Sequence, residues 1–275
     1  MPFRAQADRA ERSNMSEQLT FGLPKPKKVL ITAMVVVSAL WIFFATGINW
    51  AGGGVDVFSL LTGSDEILKS GQLWRLLTSF MVHQPSGPGS VGHLLTTLMG
   101  LYFLGSSLEE SWGPRRFGAF LLISGVFASL LQVVVGLLIS NLHQAVFYGG
   151  LGVIDAIAIA WGLSFKDRQL RLFFVLPVSG KGFIAFVLVM NVLYILANEV
   201  RREGLVSPFG GMLAGYLLAD GSPLRRFYLQ WKFRRLQSQS ESLRGVRAAI
   251  VREKKPNPAG LRVIKGGKSD KDLLN

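Results

Sequence analysis

Gly149-Gly150-Leu151-Gly152-Val153-Ile154-Asp155-Ala156 is the stretch that decides the fold. Its small residues Gly152 and Ala156 are four positions apart, so they lie on one face of a helix. Inside a membrane no hydrophobic force drives helices together, and small-residue faces are what let two helices approach closely. Asp155 places a carboxylate in the same apolar run, which is costly within a bilayer. The stretch therefore predicts a tightly packed transmembrane helix that carries one polar residue.

The composition extends this prediction to the whole chain. Of its 275 residues, 49% are hydrophobic and only 17% are charged, which is typical of a membrane protein with several spans. Six apolar segments follow one another at residues 29–50, 92–107, 117–139, 146–163, 182–200 and 206–219. The first is long enough to cross roughly 30 Å of hydrocarbon. We expect an all-α polytopic membrane protein, a bundle of six transmembrane helices.

Several functional classes are excluded or disfavoured by residue counts. There is no cysteine, so thiol catalysis, disulfides and thiolate metal sites are ruled out. The three histidines have few carboxylates near them in sequence, and we predict neither a metal site nor a cofactor. Two of them, His83 and His143, are expected to be interfacial polar residues. The polar residues 1–28 do not resemble a signal peptide.

The distribution of charge predicts the orientation. Basic residues precede the first apolar segment, and residues 221–275 contain 14 Lys and Arg against four Asp and Glu. Because positive charge is retained on the cytoplasmic side, both termini are expected there. The acidic loop 51–73 is expected to face outward. The predicted location is a cell membrane of the bacterial inner-membrane type.

The basic tail has a composition of its own. Aromatic residues alternate with arginine and lysine directly after the last apolar segment, at Phe227, Tyr228, Trp231 and Phe233. This pattern predicts a helix lying on an anionic leaflet, with no specific nucleic acid as partner. A simple positive anchor, or a basic tail that binds RNA, remains an alternative. The expected organisation is a basic segment at 1–28, a membrane domain at 29–220 and a tail at 221–275, disordered after Pro256.

Five pieces of the chain, in order, resemble the rhomboid superfamily of intramembrane serine proteases. They are the Trp74-Arg75 segment within 71–83, the His93-to-Thr97 pattern, the Gly- and Arg-containing turn at 109–117, the stretch 149–156 and the Ser207-to-Gly215 helix. Together they cover roughly residues 28–220. The resemblance implies a six-helix rhomboid-like bundle.

The same resemblance implies that the catalytic dyad is lost. Rhomboid proteases use a serine on the fourth helix and a histidine on the sixth, because the histidine must take the proton of the serine. Leu151 and Pro208 occupy these two positions, and neither can serve as nucleophile or base. The second-helix positions that stabilise the oxyanion hold His93 and, in place of asparagine, Thr97. No catalytic residue is therefore assigned.

Other residues of the resemblance keep a structural meaning. Gly211 and Gly215 form a small-residue face on the last helix that matches Gly152 and Ala156 on the fourth, which predicts ordinary close packing. Trp74 and Arg75 resemble the pair that anchors the lateral first loop in rhomboid relatives. An aromatic residue and a cation at the headgroup level are the plainer interpretation of that pair.

Asp155 needs a polar environment, and two roles are open for it. A cavity shared with His93, Thr97 or water would satisfy the carboxylate. In such a cavity Asp155 is either a structural residue or a group that recognises a polar client helix. An intramembrane aspartyl protease is disfavoured, because no other span carries the second aspartate of its dyad.

Three functions follow from these observations. The leading one is a catalytically inactive rhomboid-like protein that binds transmembrane segments of client proteins. The first alternative is an active protease with a displaced nucleophile such as Ser207. The second is a small transporter that uses Asp155, although no repeated halves are visible in the sequence.

Overall fold

The computed structural model describes residues 25–165, 169–172, 176–197, 202–220 and 222–253. Most of the predicted basic segment at 1–28 and the tail predicted to be disordered after Pro256 lie outside these residues. The described chain divides after Arg225 into two compact units.

The first unit consists mainly of helices that follow the six predicted segments. Helix α1 (Lys28–Asn49) is followed by three short helices, α2 (Val55–Leu61), α3 (Ile67–Ser70) and α4 (Arg75–Thr78). The next two long helices are α5 (Ser90–Trp112), with a π-helical segment at Leu101–Gly105, and α6 (Pro114–Leu138), which precedes a 3₁₀ turn at Ser140–Leu142. The unit is completed by α7 (Leu151–Ser164), the strands β1 (Gln169–Leu172) and β2 (Leu176–Ser179), α8 (Gly180–Leu196) and α9 (Ser207–Leu218).

The predicted all-α membrane bundle is confirmed in its class. Helices α1, α5 and α6 are long and apolar enough to cross a membrane, with mean hydropathies of 2.4, 1.3 and 2.4, and α7 and α8 are shorter apolar helices. Helix α9 has only 12 residues. A two-stranded antiparallel ribbon, with Gln169 opposite Ser179, joins α7 to α8.

The fourth helix begins later than the hydropathy suggests. The apolar run starts at residue 146, but helix α7 starts at Leu151. Phe147 instead forms an isolated antiparallel bridge with Gly63 of the first loop. Gly149 follows with a φ of +121°, a conformation that other residues rarely adopt. Residues 146–150 therefore tie the first loop to the helix start.

Helix α7 lies at the centre of the unit and packs against α5, α6, α8 and α9. Its Ala156, Ile157 and Ala160 are fully buried. The closest approach is to α9, where a Cβ at Gly211 would overlap the carbonyl oxygen of Gly152, and one at Gly215 that of Ala156. The structure thus brings the two small-residue faces into backbone contact.

The turn between α5 and α6 holds three helix ends together. The buried Glu109 carboxylate accepts hydrogen bonds from the amides of Val29 and Leu30, at 2.9 and 3.0 Å. These amides are in the first turn of α1, where they lack intrahelical partners. At the same end of the unit, Trp112 and Arg116 bind the Asp220 carboxylate at 2.7 and 2.8 Å.

The second unit contains most of helix α10 (Pro223–Glu253). The large aromatic side chains of the predicted interfacial helix are all more than half exposed, namely Phe227, Tyr228, Trp231 and Phe233. The Arg235 guanidinium lies 5.5 Å from the centre of the Trp231 ring. This surface keeps the chemistry of an interfacial helix, with apolar rings beside cations.

Candidate functional site

The site forms where the extended segment 146–150 enters helix α7. The Gly149 amide donates to the carbonyl of Ser79 at 2.9 Å, which fixes the entry of the chain. A Cβ at Gly149 would lie 2.8 Å from His93 Nε2, and a Cβ at Gly150 would lie 2.7 Å from Thr97 Cγ2. Both glycines are therefore needed to let two side chains of α5 reach the start of α7.

His93 is paired with a carboxylate. Its Nε2 lies 2.8 Å from Oε1 of Glu203, and both side chains are largely buried. The amide of Gln84 donates to His93 Nδ1 at 3.4 Å. The imidazole predicted as a vestigial oxyanion donor therefore lies beside the protein's own carboxylate, at ion-pair distance.

Thr97 contacts a second histidine. His83 Nε2 lies 2.9 Å from Thr97 Oγ1, while its Nδ1 lies 3.2 Å from the carbonyl of Met81. A carbonyl can only accept, so Nδ1 carries the proton and the threonine hydroxyl donates to Nε2. Burial, followed by the neighbouring His93, lowers the pKa of His83 to about 4. The His83 side chain is only 1% exposed, so its polar atoms are satisfied by the protein itself.

The two predicted dyad positions, Leu151 and Pro208, lie at the starts of α7 and α9. Leu151 is the first residue of α7 and lines a cavity. Pro208 is buried in the first turn of α9, where the missing amide hydrogen costs no helical hydrogen bond. The neighbouring Ser207 hydroxyl donates to the carbonyl of Glu203 at 2.5 Å. A proline thus suits the helix start and supplies no base.

Asp155 has a partner that the sequence analysis did not predict. The Asn191 side chain, on α8, donates to Asp155 Oδ2 at 3.0 Å and also to the carbonyl of Val187. His93, Thr97 or water were the predicted partners; His93 Nε2 lies 2.8 Å from Glu203, and Thr97 Oγ1 lies 2.9 Å from His83 Nε2. Asp155 is 5% exposed and lies one helical turn from Leu151. The α7–α8 contact therefore contains a buried polar pair.

A cavity of about 370 Å³ connects these groups. It is bounded by α5, α7, α8 and the loop before α9, and its walls are formed by Thr96, Leu151, Asp155, Phe186, Val187, Met190, Asn191, Tyr194 and Glu203. Asp155 and Glu203 bring two carboxyl groups to it. His93 reaches the cavity only through Glu203. Asp155 thus lies in the wall of this cavity, and His93 lies behind Glu203.

Trp74 and Arg75 donate hydrogen bonds to the first loop. Trp74 Nε1 donates to the carbonyl of Leu60 at 3.1 Å, and its ring is half exposed. Arg75 donates to the carbonyls of Thr62 and Ser59 at 2.5 and 3.1 Å. The pair closes the end of α2 with hydrogen bonds that the backbone cannot make for itself.

Glu203 and Asn191 were not singled out from the sequence. Asn191 could have been, because an amide inside an apolar run needs a polar partner and Asp155 is the natural candidate. Glu203 and His83 give no such signal, since each lies in a loop and meets the site only through the fold. Within the described ranges no group of three His, Asp or Glu side chains could hold a metal ion.

Comparison with known proteins places these features in a family. The family model described as the Rhomboid domain matches residues 70–221. The chain is 24% identical over 212 residues to Rhomboid protease GluP of Bacillus subtilis, an alignment covering 76% of this chain and 37% of that protein. It is 32% identical over 94 residues to Inactive RHOMBOID-like protein 8 of Arabidopsis thaliana, covering 34% of this chain and 25% of that protein. The chain thus spans well under half the length of either relative.

Proposed function

The chain belongs to the rhomboid family of multi-pass membrane proteins, and on that premise we propose that it is a catalytically inactive member that binds transmembrane segments of other proteins. Its relatives include both a protein named as a protease and one named as inactive, so activity has to be judged from the residues of the candidate site. The observation that carries the proposal is the pair Leu151 and Pro208, at the two positions where this fold needs a nucleophile and a base.

The occupation of His93 is a second argument for inactivity. An oxyanion site works when its donors point at the place where negative charge develops during the reaction. His93 Nε2 instead lies 2.8 Å from a carboxylate oxygen of the same chain. A negatively charged intermediate would have to displace Glu203 and would be repelled by it. Glu203 therefore opposes the chemistry that the family fold usually supports.

A displaced nucleophile is the alternative that Ser207 raises. Its hydroxyl is 4% exposed and donates its proton to the Glu203 carbonyl. A serine becomes nucleophilic when a base accepts that proton, and a backbone carbonyl cannot do so. This geometry favours a structural role in the first turn of α9.

The cavity beside Asp155 supports the binding of clients. Its volume of about 370 Å³ leaves room for a side chain of a client segment. Its two carboxyl groups favour a basic or hydrogen-donating side chain, which is costly in lipid without a partner. We therefore expect clients whose membrane segment carries such a residue, lying against α5 and α8.

Fluorophosphonate labelling of the reconstituted protein tests inactivity. Rhomboid protease GluP, prepared in the same way, is the positive control. The Leu151→Ser/Pro208→His variant tests whether the missing dyad is the cause of the inactivity. We expect no labelling and no cleavage of a model substrate helix by the natural chain. Labelling of the natural chain that Ser207→Ala abolishes would establish the displaced nucleophile and refute the proposal.

Site-specific photocrosslinking tests client binding independently. A photoreactive residue at Thr96 or Phe186, which line the cavity, should capture a single-span peptide with a central lysine, whereas one at the exposed Val35 of α1 should not. Replacing the lysine of the peptide by leucine should remove the signal. Equal capture at all three positions would contradict client binding at this cavity. Ion flux in the same vesicles, abolished by Asp155→Asn, would instead support the transporter alternative.

A further inference from the structure

A second cavity, of about 360 Å³, lies between α1, α5, α6 and α7. Its walls are aliphatic over most of their area and include Val29, Ala33 and Val37 of α1, Leu121 and Leu122 of α6, and Val153 of α7. Its inner wall contains Thr97 and Gly150, so it reaches the candidate site from another direction than the Asp155 cavity. None of the functions considered above uses this space.

The cavity opens on the outer surface of the bundle. Thr32 and Leu122, which line it on two neighbouring helices, are exposed, Leu122 to 49%. Both helices are long and apolar enough to cross a membrane, so an opening between them faces lipid. An acyl chain is the apolar occupant that the surroundings always supply.

Two cations mark one end of this cavity. Lys28 lines it at the start of α1, and Arg115 lies at the start of α6, one helical turn before Gly118 on the same face. The two helix starts are adjacent, because a Cβ at Gly118 would lie 3.4 Å from Val29 Cγ1. Both cations are therefore placed beside the mouth of the cavity.

The neighbouring charged groups are already paired. Lys27 lies 3.9 Å from Glu110, Arg116 binds Asp220, and Glu109 is bound by the amides of α1. In the part of the chain that the structure describes, neither Lys28 nor Arg115 has a carboxylate within 4.0 Å. Basic pockets between transmembrane helices are places where anionic headgroups bind.

We propose that this cavity binds an anionic phospholipid, with one acyl chain between α1 and α6 and the phosphate held by Lys28 and Arg115. The end of the acyl chain then fills the part of the cavity next to Gly150 and Thr97. A bound lipid would support the wall of the candidate site from behind, because a void there leaves the wall without packing contacts. The inference does not depend on whether the protein cleaves or binds clients.

Photocrosslinking with a lipid probe tests the proposal on the full chain in nanodiscs. The probe is phosphatidylglycerol with a diazirine near the end of one acyl chain, in a phosphatidylcholine bilayer, and crosslinked peptides are identified by mass spectrometry. We expect crosslinks at the lining residues of α1, α6 and α7. Labelling confined to other helices would overturn the proposal.

Charge and shape are then changed separately. Lys28→Gln with Arg115→Gln should reduce crosslinking at least about fivefold, since each cation near an anionic lipid contributes about that factor. Lys69→Gln with Lys181→Gln removes two exposed cations that do not line the cavity and is the matched control, expected to change nothing. Leu122→Trp should block the opening without altering charge. Equal labelling by a phosphatidylcholine probe, or no effect of either cavity variant, would refute a specific anionic lipid site.

Discussion

The contact between α7 and α9 gives a quantitative prediction through Gly211→Ala. A Cβ at this position would overlap the carbonyl oxygen of Gly152. The obstacle is backbone on the opposing helix and not the flexible end of a side chain, so the two helices must separate. Separation also loosens the neighbouring contact at Gly215, where a Cβ would overlap the carbonyl of Ala156. The perturbation therefore acts on the whole interface.

The magnitude follows from two opposing terms. Overpacking a well-packed core costs typically about 1–3 kcal/mol, and a backbone obstacle puts this case near the upper end. Alanine gains up to about 1 kcal/mol over glycine in a helix. The expected net loss is then about 2 kcal/mol in the free energy of unfolding. For a unit of roughly 200 residues this corresponds to a Tm lower by about 4–8 °C.

Gly92→Ala is the matched control, because a Cβ at that position of α5 meets nothing within 4 Å. The same chemical change there should leave stability unchanged or raise it slightly. Thermal unfolding of both variants in one detergent, followed by intrinsic tryptophan fluorescence, gives the comparison. If Gly211→Ala were as stable as Gly92→Ala, the proposed backbone contact between α7 and α9 would be wrong.

Three further predictions concern polar groups. Because the pKa of His83 falls from 6.5 to about 4 on folding, its contribution to stability is complete above pH 6.5 and is lost as the pH falls towards 4. Acidification from pH 7 to pH 5 should therefore lower the free energy of unfolding by about 2 kcal/mol, as measured by thermal unfolding. The variant His83→Gln should show a weaker dependence of stability on pH. Asn191→Leu should destabilise the protein by about 1 kcal/mol. In a double-mutant cycle, the variant that also carries Asp155→Leu should recover much of this loss, and additive losses would refute the interaction between the two side chains. Arg75→Ala removes hydrogen bonds to Ser59 and Thr62, so limited proteolysis should cut the first loop faster, with Lys69→Ala as an exposed control that should not change the rate.

The sequence was sufficient for the helices because hydropathy reports the solvent that each segment faces. It placed the starts of α1, α6 and α9 within a few residues. It missed the start of α7 by five residues, because Phe147 and Tyr148 are apolar and buried yet lie in extended chain. Apolar residues of an extended segment can be buried in the core as completely as those of a helix, so hydropathy does not distinguish the two. Only the backbone conformation of Gly149 reveals the difference.

The site was less predictable than the fold. Leu151 and Pro208 could be judged from the sequence, because a nucleophile and a base require particular side chains. The partner of His93 could not, since Glu203 lies 110 residues away in a loop, and Asn191, 36 residues from Asp155, could be proposed as its partner but not positioned. Pairs of this kind depend on how helices dock, and a single sequence contains no measure of docking.

The glycines around the site are evidence for the fold and are silent about chemistry. A Cβ at Gly152 would lie 2.5 Å from the Ala128 side chain and 3.1 Å from the carbonyl of Ser207. Glycine is needed here to let α6 and α9 meet α7, whether the preceding residue is a serine or Leu151. A family match that rests on such positions therefore identifies the bundle. The activity has to be judged from the side chains at and beside the predicted dyad positions, and in this chain they are a leucine, a proline and a carboxylate 2.8 Å from His93.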